Sequence, residues 1–169
     1  MSGIVGSAGS KSGIIKSLSS FLARGEAGWD SYTNGQVIPF DDVSTGACFD
    51  VGGNYDTSAK KYTAPYTGKY FFWFNIYTAE NDSNNSFTFA VNGTDVAFID
   101  SAASEITWQE GTDDKTAHGH ANIHLNAGDY VQVVAAHTSD ANGSIATFGG
   151  FILKEYNHEK FFRFNRMEY

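Results

Sequence analysis

Residues Tyr70-Phe71-Phe72-Trp73-Phe74 form an unbroken run of aromatic side chains, and no other stretch constrains the fold as tightly. A strand with one wetted face alternates apolar and polar residues. This one does not. In an extended chain Tyr70, Phe72 and Phe74 point to one side, and Phe71 and Trp73 to the other. Both sides therefore require cover. One side can enter a sandwich core. The other needs a further partner, because a contiguous patch of exposed aromatics is an aggregation liability.

The rest of the chain supports an all-β reading. Its 169 residues include 14 Phe, 9 Tyr and 3 Trp but only 2 Pro, a composition suited to pleated, half-buried surfaces. Short strand-like runs separated by Asn, Gly and Asp turns extend from Trp29 to Leu153, the spacing of a sandwich or barrel. Strands are expected at 27–32, 36–39, 46–50, 60–64, 69–78, 86–91, 95–99, 104–110, 116–125, 129–137 and 144–153. Asn92-Gly93, between two alternating runs, predicts a tight hairpin. The organisation expected is a Gly/Ser-rich segment over residues 1–25, one domain over 26–153, and an aromatic and basic tail over 154–169.

Several function classes fall away on bulk properties. A net charge of −8 opposes phosphate binding, so no nucleic-acid partner is expected. No apolar run approaches the length of a membrane-spanning helix, so no membrane insertion is expected. The single cysteine, Cys48, permits no intrachain disulfide and reads as a small packing residue. No secretory signal pattern is visible at the N-terminus.

Five pieces of sequence resemble one family. They are Phe40-Asp41-Asp42-Val43, Gly52-Gly53-Asn54-Tyr55-Asp56, the stretch Tyr62-Thr63-Ala64-Pro65 through Phe74, Leu125-Asn126-Ala127-Gly128-Asp129-Tyr130-Val131, and Phe148-Gly149-Gly150-Phe151-Ile152-Leu153. Their order and spacing resemble the globular head domain of complement component one, subunit q, and its tumour-necrosis-factor relatives. The departures are Tyr62 for Phe, Gly149 for Ser, and no collagen-like stalk upstream. The resemblance implies a jelly-roll β-sandwich of about ten antiparallel strands that packs as a homotrimer around a threefold axis, to which the composition of the two ends adds extended terminal segments. On that mapping Tyr70, Phe72, Phe74 and Phe151 build the sandwich core. Phe71, Trp73 and Phe148 lie in the subunit interface.

The strand His118-Gly119-His120-Ala121-Asn122-Ile123-His124 sets His118, His120 and His124 on one face, with Ala121 and Ile123 on the other. The resemblance turns the histidines toward the trimer axis, where each would be triplicated. Such rings are candidate metal or anion ligands or pH-sensitive contacts. The plainer reading is packed interface histidines, and no resident metal or cofactor is expected. A cupin-type metalloenzyme also carries an H-x-H strand, but the acidic ligand expected after it is missing, and no second histidine strand is recognisable around His137. Asp113-Asp114 and Glu80/Asp82 read as solvated loop residues. No nucleophile elbow or phosphate-binding glycine loop occurs, so no enzymatic activity is expected.

The N-terminal segment repeats itself: Ser2-Gly3-Ile4-Val5 is echoed by Ser12-Gly13-Ile14-Ile15. Its apolar residues Ile4, Val5, Ile14, Ile15 and Phe21 suggest a segment that orders on a partner, and residues 14–24 have the pattern of a short amphipathic helix. The tail alternates as Phe162-Arg163-Phe164-Asn165, suited to adding to a sheet edge. Together these features lead to the expectation of a virion structural protein of a bacteriophage, assembled in the host cytoplasm. It would decorate the capsid or form part of a tail fibre or attachment tip. Other virion proteins would be its partners, with a host receptor or glycan for the tip. A stand-alone complement-like or tumour-necrosis-factor-like recognition module is the alternative.

Overall fold

The computed structural model describes residues 19–26, 28–78, 86–95, 104–107, 115–137 and 139–155. Its strands are β1 (Ser20–Arg24), β2 (Trp29–Tyr32), β3 (Phe49–Val51), β4 (Tyr55–Asp56), β5 (Lys61–Thr63), β6 (Gly68–Thr78), β7 (Phe87–Val91), β8 (Thr94–Asp95), β9 (Ser104–Thr107), β10 (Lys115–Leu125), β11 (Tyr130–Ala135) and β12 (Ser139–Glu155). They form two antiparallel sheets packed as a sandwich. The seven-stranded sheet runs β3-β1-β12-β6-β10-β9, with β2 also paired to β12. The five-stranded sheet runs β4-β5-β11-β7-β8.

Local chemistry explains where the strands stop. Pro65 follows β5, since proline lacks the donor that would continue the ladder. Asn92 (φ 52°) and Gly93 (φ 79°) both take left-handed backbone between β7 and β8, as a tight hairpin with the native strand twist requires. The Asn92 side chain completes that turn. Its Nδ2 donates to Asp129 Oδ1 at 2.8 Å, and its Oδ1 accepts from the Tyr130 amide at 3.0 Å.

The core is aromatic. Phe21 lies between Tyr55 and Tyr62, with both ring centroids 4.8 Å away and the planes nearly parallel. Phe148 meets Phe21 edge-on at 4.9 Å and also packs on Phe40, Phe72 and Phe89. Aromatic pairs in such geometries add to plain area burial. Tyr70, Phe72 and Phe74 are all buried here, as strand parity requires.

Three readings of the sequence are corrected. Phe21 is fully buried in the core, on a strand and not a helix, so it is no docking residue, and the folded domain reaches back to Ser20. The second correction concerns Phe148 and Phe151, which exchange roles. Directly opposed residues of an antiparallel pair share a face. Phe148 pairs with Phe74 and is 0% exposed, whereas Phe151 pairs with Phe71 and is 39% exposed. Third, residues 36–39 make no regular strand. That segment lies beside β11 through the bridge Val37–Val134 and the bond from Ile38 N to Val133 O. Of the expected docking residues, Ile4, Val5, Ile14 and Ile15 lie outside the described residues, as do the expected strand positions 96–99 and 108–110 and residues 156–169 of the tail.

Candidate assembly interface

The outer face of the seven-stranded sheet carries the second set of aromatics. Pairing across the strands sets Phe49, Leu22, Gly149, Trp73 and His120 in one row. Val51, Ser20, Phe151, Phe71 and Asn122 form the next. Three of the aromatic members touch. Phe71 lies 5.5 Å from Phe151 and 5.9 Å from Trp73, and Trp73 lies 6.2 Å from Phe151, measured between ring centroids. Phe49, Val51, Phe151 and Leu153 are 41%, 45%, 39% and 43% exposed, so this sheet presents several large apolar side chains to water in the single chain. The grouping of these side chains is what marks the face, because single exposed apolar residues are ordinary.

Glycines shape this face. A Cβ placed on Gly149 would stand 2.3 Å from Cζ2 of Trp73, so the indole lies across the glycine backbone instead of projecting from the sheet. On the inner face Phe74 covers Gly119 and Phe72 covers Gly150 in the same manner. The outer aromatic surface is consequently low in relief where Trp73 crosses β12.

His118, His120 and His124 also lie on this side of β10. His118 is half-buried, and His120 and His124 are exposed. The His120 ring is 6.1 Å from Phe71. They stand in line along one strand, and among the described residues no three His, Cys, Asp or Glu side chains are grouped to hold a metal ion. The expected interface residues Phe71, Trp73, His118, His120 and His124 thus share one face, and Phe148 does not.

Arg24 and Asp42 form an ion pair at one end of the same sheet, Nε to Oδ2 at 2.8 Å. Asp42 Oδ1 also accepts from the Ser44 and Thr45 amides at 2.7 and 3.0 Å and from the Ser44 hydroxyl at 2.9 Å. Bonds from Ser44, Thr45 and Arg24 hold its carboxyl well below the usual carboxylate range. The Phe40–Val43 segment is thereby a structural anchor: Asp42 fastens its loop to β1 through Arg24, while Phe40 enters the core. Cys48 is half-buried, and burial pushes its thiol up, the opposite of an activated nucleophile.

Phe49, Val51 and Leu153 add to the exposed apolar side chains and are not among the interface residues that the sequence predicts. The apolar alternation Phe49-Asp50-Val51 was the available signal. The acidic residues Glu80, Asp82, Asp113 and Asp114 lie outside the described residues.

A family model for the C1q domain matches residues 20–153. Among solved structures, the globular domain of zebrafish complement 1qA is similar at 15% identity, over 83% of this chain and 98% of that one, with a TM-score of 0.49. The Eiger TNF of S. frugiperda is similar at 12% identity, over 84% and 96% of the two chains, with a TM-score of 0.50. Rabbit GITRL matches at 12% identity, over 58% and 74%, with a TM-score of 0.42. The matched span opens on the first strand of the sandwich and closes within its last, and the chain belongs to the C1q domain family.

Proposed function

We propose that the protein is a non-enzymatic binding module that works as a homotrimer, its copies packed through the outer face of the seven-stranded sheet. The observation that carries this reading is the Phe71–Trp73–Phe151 surface, flanked by Phe49, Val51 and Leu153. Burying such side chains gains about 1.5–3 kcal/mol each, enough in sum to offset the cost of association. His118 and His120 enter the same interface as packed polar groups. Measuring the mass of the full chain in solution tests this. A trimer that becomes monomeric with Trp73→Glu, while the strand spectrum is kept, is the expected result. A monomeric wild type would sink the reading.

At a larger scale we read the module as part of a bacteriophage virion, in a capsid decoration or an attachment tip. The echoed Ser-Gly-Ile segment supports this, as a repeated apolar element suited to docking. A stand-alone module that recognises a protein or glycan is the alternative, and C1q domain membership favours it equally. The genes flanking the coding sequence discriminate: capsid, portal and tail genes favour the first, and their absence the second.

A further inference from the structure

The outer face of the seven-stranded sheet is not uniform. Its exposed apolar side chains gather at one flank: Phe49 and Val51 on β3, and Phe151 and Leu153 on β12. The opposite flank is β10, whose outward positions include His118, His120, Asn122 and His124. Phe71 and Trp73 of β6 stand between the two. The His120 ring lies 6.1 Å from Phe71, so the imidazole borders the aromatic group directly.

The surroundings of His118 and His120 are mostly uncharged. His118 stands opposite Asn75 of β6 and Thr107 of β9, with Tyr77 diagonal to it. His120 stands opposite Trp73 of β6, and Glu105 holds the facing position on β9. Arg24 of β1 lies in the same row as His118, beyond Asn75 and Thr147, and is paired with Asp42. His124, at the far end of β10, stands opposite Lys69 and in the field of Asp129, a charged group apart from the other two.

Rotational symmetry limits what these flanks can meet. A patch that packs on its own copy closes as a dimer, whereas a ring of three needs heterologous contacts, in which two different patches of each copy meet. The two different patches on this face are its apolar flank and its histidine flank. We infer that, in the trimer proposed above and resting on that reading, the histidine flank of each copy packs on the apolar flank of the next, and that protonation of His118 and His120 opens the assembly. Imidazole is the side chain whose charge ordinarily changes between about pH 5 and 8. A charged ring costs far more to bury against apolar side chains than a neutral one. Association is therefore strongest where both rings are neutral and is lost as pH falls. The net charge of −8 acts with the opposite sign, since proton uptake reduces repulsion between copies. Weakening on acidification is thus a property of the interface and not of bulk charge. The heads themselves stay folded over this range, because the lowered carboxylates Asp42, Asp56 and Asp129 give up their stability only at lower pH.

Sedimentation equilibrium of the full chain over a range of concentrations, at about pH 7.5 and about pH 5.5 in the same salt, tests this. The wild type should be trimeric at the higher pH and need roughly tenfold or more protein to reach the same trimer fraction at the lower. Near-ultraviolet circular dichroism should be the same at both. The double variant His118→Gln, His120→Gln keeps polar side chains without the charge and should hold its trimer equally at the two pH values. Dilution calorimetry of the wild type at about pH 6, in two buffers of different ionisation enthalpy, should show protons taken up as the trimer dissociates. That result stands even where the double variant fails to assemble. Wild-type assembly that ignores pH, dissociation without proton uptake, or a double variant that dissociates in acid as the wild type does overturns the inference. A trimer indifferent to pH defeats this inference alone, whereas a monomer at both pH values defeats the assembly reading and the inference with it.

Discussion

The Trp73 indole lies flat over Gly149, close enough that a Cβ on the glycine would fall 2.3 Å from the ring. The pair sits on directly opposed positions of β6 and β12, in the middle of the outer face. A side chain at residue 149 must therefore lift the indole away from the sheet. Gly149→Ala should weaken or abolish the trimer, with a smaller effect on unfolding of the single head, because Trp73 can rotate into solvent. Mass in solution and a denaturant midpoint, measured on the same sample, separate the two effects.

Gly150→Ala should behave oppositely. Its Cβ would meet Phe72 Cδ1 at 2.4 Å and Phe71 O at 3.0 Å, where buried packing and backbone leave little room. Overpacking of this kind costs about 1–3 kcal/mol. A lowered urea midpoint is expected, and an unchanged one would show that Phe72 can repack.

Phe148 and Phe151 offer a direct contrast. Phe148→Ala removes a fully buried ring from the centre of the core and should cost about 3–5 kcal/mol of stability. Phe151→Ala, on the exposed face, should leave head stability within about 1 kcal/mol while lowering trimer mass at dilute concentration. Equal losses of stability would contradict the assignment of faces.

Phe21 sets the limit for truncation. Removing residues 1–18 spares Ser19 and its Tyr62 partner and should leave a folded head. Removing 1–25 takes away β1 and the ring stacked between Tyr55 and Tyr62, and should leave a protein that fails to fold cooperatively. Protease resistance and near-ultraviolet circular dichroism report the outcome.

Acid sensitivity follows from the carboxylates. Asp42 is held low by Ser44, Thr45 and Arg24, Asp56 by the Ala59 and Ser58 amides, and Asp129 by Asn92 and Asn126. A carboxyl lowered in the folded state adds stability that is fully present above its ordinary value of 3.8 and is lost as pH falls through the lowered one. The melting temperature should therefore hold down to that value and decline below it. Asp42→Asn should lower stability near neutral pH and flatten the acid decline.

The face assignments show how far local pattern reaches. Side-chain period in β6 divides Tyr70, Phe72 and Phe74 from Phe71 and Trp73, and burial of β6 follows that division. The same period in β12 separates Phe148 from Phe151 but does not say which faces inward, since both neighbours of Gly149-Gly150 are aromatic. Only the register of β12 on β6 decides it, and that register contains shifts at Asn142/Thr147 and Ile152/Lys154. Phe21 was obscured for a related reason. Its Gly/Ser-rich surroundings carry no strand alternation, and β1 exists through pairing with residues 147–151, more than a hundred positions away.

From sequence alone came the all-β class, the Asn92-Gly93 hairpin, the inward and outward parity of the central strand, and the family. These depend on residues close together in the chain, where backbone sterics and two-residue periodicity act. Tertiary structure decided which aromatic of β12 faces the core, where the domain begins, and that Trp73 lies against Gly149. Each of those is a matter of register between strands distant in sequence, and a one-residue change of register exchanges every side chain between core and surface.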